Sequence, residues 1–205
     1  MDLLHKHLTS LESHNETVWF PRGPWHTMRS NPNNLSEDML KAPSELIKRN
    51  LQPSGTYLEL FAGSADQAYE LSKSSNWIVY TTDIVATKFQ NYQHLINNGI
   101  YVYECGMESI IKNDLPYKVD VIAAFDTFGQ QSKTATSGGD NDANNWYSLM
   151  EKVEQWVLRN TKHLIINGSQ FLDKSYAQQK CIYSNNSINT HIVDTIFDMS
   201  LIKFK

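Results

Sequence analysis

Between about positions 56 and 168 the chain switches between short apolar or β-branched runs and longer stretches with apolar residues three or four apart. The runs at about 56–61, 78–82, 100–104, 119–125 and 163–168 read as strands, and the stretches at about 65–74, 86–97, 107–113 and 143–159 as helices. Alternation at this spacing predicts a parallel sheet with helices on both faces. The run VDVIAAF at 119–125 is apolar almost throughout, as a central strand of such a sheet should be. The tail, 188–205, alternates enough for one or two strands with a turn near Asp198, which predicts an antiparallel hairpin added to the parallel sheet.

Upstream of the first strand, Met39, Leu40, Leu46 and Ile47 mark a helix over about 37–50 with Ser36 as a candidate N-cap. Pro43 argues for a start nearer Ala42, where a proline in the first turn loses nothing. Residues 1–18 read as a polar helix or arm, and 19–34, with two tryptophans among Pro, Gly and Asn, as an irregular but anchored segment. A short helix is expected at 173–180, and the polar loop 129–142 is long enough to be a functional lid or disordered. The expectation is one α/β domain over 1–205, with 1–35 as an N-terminal arm packed on the core.

Composition narrows this picture. With 205 residues, 40% of them hydrophobic, the chain has material for one full core. A net charge of −4 argues against broad binding to a polyanion, so any nucleic-acid grip must be local. Cys105 and Cys181 lie far apart without metal-ligand spacing, and reduced thiols are expected. The first residues are too polar and acidic for a signal peptide and no apolar run approaches the ~20 residues of a membrane span, so a soluble intracellular protein is expected.

The chemistry concentrates at strand ends. TYLELFAGSADQA, beginning at Thr56, is a strand, a small-residue turn and the start of a helix, and places Glu59, Ala62, Gly63 and Ser64 at the end of the first strand. Asp83 follows the second strand about 20 residues on, where an acid can bind a ribose diol, and Glu104 with Cys105 follows the third, where the Cys105 backbone could meet an adenine edge. In an open α/β sheet ligands occupy the crevice beyond such ends, so one nucleoside could touch all three. A dinucleotide fingerprint would need GxGxxG facing a pyrophosphate. Here Glu59 would repel phosphate, and S-adenosylmethionine, with a sulfonium, an ammonium and no phosphate, fits better. The plainer alternatives are an accidental acid for Glu59, a helix cap for Asp83 and a buried small hydrophobe for Cys105.

These residues resemble the FtsJ-like family of RNA ribose 2′-O-methyltransferases, most closely those encoded in nidovirus replicases, over nearly the whole chain from Trp19. The resemblance implies a class I methyltransferase fold, S-adenosylmethionine as cofactor and a Lys-Asp-Lys-Glu tetrad. Its first lysine corresponds to Lys41, its aspartate to Asp126 in AFDTFG, and Phe128 stands where an aromatic borders the nucleotide site. At the second lysine this chain has Asn167. The last acid corresponds to Asp198, with Asp194 and His191 as alternatives.

The implied activity is methylation of the ribose 2′-hydroxyl at the first nucleotides of a viral mRNA cap. Two lysines of the tetrad lower each other's pKa so that one accepts the proton, and Asn167 would instead position the hydroxyl. The implied partners are capped RNA and other replicase subunits, a small activating protein among them, in the host cytoplasm and without a membrane. RNA grip is expected from Arg22, Arg29 and Lys133 with Trp25 or Phe128 stacking, and Lys162, Lys174 or Lys180 as a source of the missing charge, though each reads first as a surface lysine.

The alternative is a catalytically impaired module that binds the cofactor or RNA as a replicase subunit. A base methyltransferase would want Asn or Asp before Pro-Pro-aromatic after strand four. The chain instead carries Asp114-Leu115-Pro116-Tyr117 ahead of that strand, which reads as a turn. A small-molecule O-methyltransferase is the remaining rival.

Overall fold

The computed structural model describes residues 2–12, 37–83, 86, 91–124, 152–153, 155–167, 190–197 and 199–204. Helix α1 spans Leu3–Leu11 and α2 Glu37–Asn50. They are followed by β1 Thr56–Leu60, α3 Asp66–Ser74, β2 Ile78–Asp83, α4 Tyr92–Asn97, β3 Tyr101–Glu104, α5 Met107–Ile110 and β4 Val119–Ala124. A helix, described at 155–160, runs into β5 Thr161–Asn167, and β6 Thr190–Ile196 and β7 Met199–Phe204 form the terminal hairpin.

The seven strands lie in the order β3-β2-β1-β4-β5-β7-β6. β1 to β5 are parallel, while β7 is antiparallel to both β5 and β6. This is the expected architecture, a mostly parallel sheet with helices on both faces and a C-terminal antiparallel hairpin. The chain moves outward from β1 to β3 and then crosses to β4 on β1's other side, which makes the β1/β4 boundary the topological switch point.

Each strand feeds two cores because its side chains alternate. Tyr57 lies on one face with Val79, Val121, Ala123 and Ile165 beneath Ala42, Leu46 and Ile47 of α2 and Ala68 and Leu71 of α3. Leu58 and Leu60 lie on the other, with Tyr80, Ile122 and Leu164 beneath Leu4 and Leu8 of α1, Ile110 of α5 and Trp156. At about 2–5 kcal/mol for truncating one such leucine to alanine, either layer is indispensable.

The polar opening segment thus contains a helix with a buried stripe. Asp2 caps it by accepting from the Leu4 amide at 3.2 Å, and also accepts from the hydroxyls of Tyr80 and Tyr117. At its far end the Glu104 amide donates to Glu12 Oε1 at 3.4 Å.

Helix α2 spans the expected 37–50 and carries Pro43 in its interior, so the later start near Ala42 that the proline suggested is not taken. An interior proline forfeits one helical hydrogen bond and costs roughly 3 kcal/mol. Burial of Ala42, Pro43, Leu46 and Ile47 offsets it, and Glu37 and Asp38 complement the positive end of the helix. Helix α5 also stops earlier than expected, at Ile110, because its last amides turn back in tighter bonds such as Lys112 to Ser109 at 3.3 Å. The expected helix at 173–180, the loop 129–142 and most of the segment 19–34 lie outside the described residues.

Candidate functional site

Beyond β1 the backbone makes a tight turn in which alternate residues are left-handed: Phe61 at φ 55°, Gly63 at 54° and Ala65 at 54°. Only glycine adopts this region without cost, and each of the other two stores about 1–2 kcal/mol of strain. Strain of this kind persists where surrounding contacts over-determine the backbone. Here the Ala62 amide donates to the Thr82 carbonyl at 3.0 Å, the Gly63 amide to Asp83 Oδ2 at 2.9 Å and the Ala65 amide to the Ala62 carbonyl at 2.8 Å. Asn91 Nδ2 donates to the Ser64 carbonyl at 2.6 Å, and the Ser64 hydroxyl to Asp66 Oδ2 at 2.6 Å.

The turn delivers the chain into α3, whose N-cap Ala65 offers no side-chain acceptor to the first helical amides. An uncapped N-terminus of this kind favours a carboxylate. Behind it, Glu59 is 2% exposed and accepts from the Tyr57 hydroxyl at 3.0 Å. Burial first, then the charge of Glu59, hold the Tyr57 pKa well above its ordinary value, so the phenol stays a neutral donor. Thr81, paired in register with Glu59, is 1% exposed and its Oγ1 has no hydrogen-bond partner among the described residues. Such an orphaned hydroxyl marks a place where a polar group is wanted.

Strand register gathers the remaining cofactor candidates. Asp83 pairs with Glu104 across β2 and β3, and Cys105 and Gly106 follow at once as buried residues. Glu59, Ala62, Gly63, Ser64, Asp83, Glu104 and Cys105 therefore occupy the carboxyl ends of three neighbouring strands, as the spacing predicts. Sequence reading overlooked Tyr57, Thr81, Asn91 and the left-handed state of Phe61 and Ala65. Tyr57 had a signal, since two residues' separation on a strand puts it on the face of Glu59. Asn91 had none.

The described acceptor-side candidates lie on three separate elements, α2, β5 and β6. Lys41 is 45% exposed and donates to Glu37 on its own helix. Glu37, with Glu70 and Asp38 behind it, raises the Lys41 pKa, whereas a proton-accepting lysine requires a lowered one. Asn167 ends β5 opposite Met199, the first residue of β7. Asp194 and His191 lie on β6, the outermost strand, three strand spacings or ~14 Å from β4. Asp194 is committed to Asn50 Nδ2 at 2.8 Å and to the Thr195 amide at 2.8 Å, contacts that lower its pKa.

Lys162 pairs with Asp120 at 2.6 Å near the start of β5, at the opposite end of the sheet from the crevice, and so supplies no charge there. Asp114 caps a turn through Arg159 and Asn160, as its place before β4 suggested. Asp126, Phe128 and Asp198, and Trp25, Arg22, Arg29, Lys133, Lys174 and Lys180, lie outside the described residues. Among the described residues no cluster of His, Cys, Asp or Glu could hold a metal, and no helix is long and apolar enough to cross a membrane.

A mostly parallel sheet in the order β3-β2-β1-β4-β5-β7-β6, with β7 reversed, is the class I methyltransferase fold. Solved structures bear this out. TrmN from Thermus thermophilus is 13% identical with a TM-score of 0.55, covering 90% of this chain and 52% of that one. This chain therefore spans about half of its length. A protein of Methanococcus maripaludis assigned as an S-adenosyl-L-methionine-dependent methyltransferase is also 13% identical with a TM-score of 0.55, covering 94% of this chain and 96% of that one. At such identity the likeness is one of fold. No family model and no curated protein matches the chain.

Proposed function

We propose that this chain is a methyltransferase that binds S-adenosyl-L-methionine beyond β1, β2 and β3 and methylates the ribose 2′-hydroxyl at the start of a capped viral RNA. The observation that carries the cofactor reading is the left-handed turn 61–65, latched to Asp83 through the Gly63 amide at the switch point of the sheet. The residues present fit that ligand. Asp83 offers a carboxylate to a ribose diol, and Glu104 and Cys105 border the place of the base. The open start of α3 suits a carboxylate, and buried Glu59 suits an ammonium while disfavouring a phosphate. When bound, the cofactor supplies an electrophilic methyl group on a sulfonium.

On the acceptor side, Lys41 and Asp126 would handle the hydroxyl proton, Asn167 would hold the hydroxyl, and Asp198 would orient the set. Spacing in the sequence supports this assignment, as does the register that sets Asn167 against the first residue of β7. In this reading other replicase subunits, a small activating protein among them, complete the assembly in the host cytoplasm.

A second reading is favoured by Lys41 itself. Its pairing with Glu37 and its raised pKa suit a surface ion pair, and with Asn167 in place of a lysine they suit a module that binds cofactor or RNA without transferring methyl groups.

Titration with S-adenosylmethionine followed by a methyl-transfer assay on capped RNA separates the two, with replicase partners added. The expected result is binding in both wild type and Lys41→Ala, with transfer at least ~100-fold slower in the variant. Undiminished transfer in the variant removes Lys41 from the mechanism. Binding without transfer on every cap identifies the module, and absence of binding overturns the cofactor reading.

A further inference from the structure

Glu59 is an acid on an interior strand paired in parallel on both sides, a position normally filled by an apolar residue. Its carboxylate receives the hydroxyl of Tyr57, two residues earlier on the same face, at 3.0 Å. Tyr57 is itself fully buried, flanked in register by Val79 on β2 and Val121 on β4. It packs in one cluster with Leu46 of α2 and Leu71 of α3. A ring held from both sides and from above has little freedom, so its hydroxyl points in a set direction. The Glu59 backbone is pinned as well, its carbonyl accepting from the Thr82 hydroxyl at 3.4 Å. The packed ring thus fixes one partner of the Glu59 carboxylate, on a residue two positions ahead of the turn 61–65.

We infer that Tyr57 is a positioning residue, whose hydroxyl holds the Glu59 carboxylate in the orientation that receives the ammonium of the methionine moiety. This rests on the cofactor reading given above. Tyr57 touches no part of the ligand and acts only through Glu59. A preset acceptor spares the ligand the cost of ordering a flexible side chain. The contribution is specific to the ammonium, which separates it from a general role of Tyr57 in core packing.

The test compares two ligands by calorimetry: S-adenosyl-L-homocysteine and its analogue with hydrogen in place of the α-amino group. Wild type should prefer the amino ligand, and Tyr57→Phe, which keeps the ring, should weaken that ligand about tenfold while leaving the deaminated analogue unchanged. Glu59→Gln should lose the same preference, and Tyr57→Phe added to it should have no further effect. Equal weakening of both ligands, or no change, overturns the inference while the cofactor reading stands. Equal binding of both ligands by wild type does the same, because it shows that the ammonium finds no partner. If Tyr57→Phe does not fold, Glu59→Gln decides, and a preference retained there overturns the inference. Failure of wild type to bind either ligand overturns the cofactor reading and this inference with it.

Discussion

The two halves of the sheet were built in different ways. In the β1–β3 half, the cofactor candidates from Glu59 to Cys105 come from one stretch of about fifty residues, and short βα units return the chain to the same edge each time. Amide and carboxylate contacts tie those edges together, Gly63 to Asp83 and Ala62 to Thr82. In the β5–β7 half, the acceptor candidates Lys41, Asn167 and Asp194 come from distant parts of the chain. Each of the two with a described side chain is occupied by a neighbour, Lys41 by Glu37 and Asp194 by Asn50. A cofactor site can be assembled by local connectivity. An acceptor site depends on long-range packing, and its sequence signals are correspondingly less binding.

The sharpest way to break this comparison is to remove one acid from each half. Asp83→Ala loses the latch on Gly63 and, with it, the proposed ribose acceptor, and should weaken S-adenosylmethionine binding about 100-fold by titration. Asp194→Ala should leave that affinity unchanged, because β6 is separated from β1 by three strands. Comparable losses from both variants would show that the halves are energetically one site.

A smaller effect separates strain from function. Gly63 and Gly99 both have positive φ, at 54° and 78°, and Gly99 has open space where a Cβ would stand. Alanine at either position should cost about 1–2 kcal/mol in denaturant unfolding. Only Gly63→Ala should also reduce cofactor affinity. If Gly99→Ala does so too, the turn at 61–65 has no special standing.

The smallest expected effect is on pH dependence, and here the halves should agree. His7 on α1 and His163 on β5 are both held below the ordinary imidazole value of about 6.5, in each case chiefly by burial. Because the folded pKa lies below the unfolded one, the unfolded chain binds more protons as pH falls. The stability is therefore full above about pH 6.5 and is lost as pH drops toward the folded values. Melting temperature should fall between about pH 8 and pH 5.5, and His7→Asn and His163→Asn should each flatten the curve. A profile untouched by either substitution would mean that other groups govern it.

Much of the fold was legible because periodicity is a local property. The run 119–125 is apolar almost throughout, and β4, described at Val119–Ala124, proved central, between β1 and β5, while the tail alternates and proved a hairpin. Where legibility failed, long-range packing had overridden a local rule. The pattern over 37–50 marked the bounds of α2, and only the later start near Ala42 suggested by Pro43 is overridden, by burial of α2 against the sheet. Phe61 and Ala65 show no sign of left-handed backbone, since only Gly63 among them belongs to the residue type that favours it. Their conformation is imposed by amide bonds to β2 and within the turn.

By itself the sequence determined the order of strands and helices, the place of the turn after β1 and the acid at the end of β2. These depend on residue types within a few positions of one another, and on the strong tendency of βα units to wind one way. The tertiary structure decided which side chains meet. It set the Tyr57 hydroxyl on Glu59, paired Lys41 with Glu37 and placed Asp194 on the far edge of the sheet. Those outcomes rest on how two helical layers pack against one sheet, a balance of burial and partner choice that no short window of residues contains.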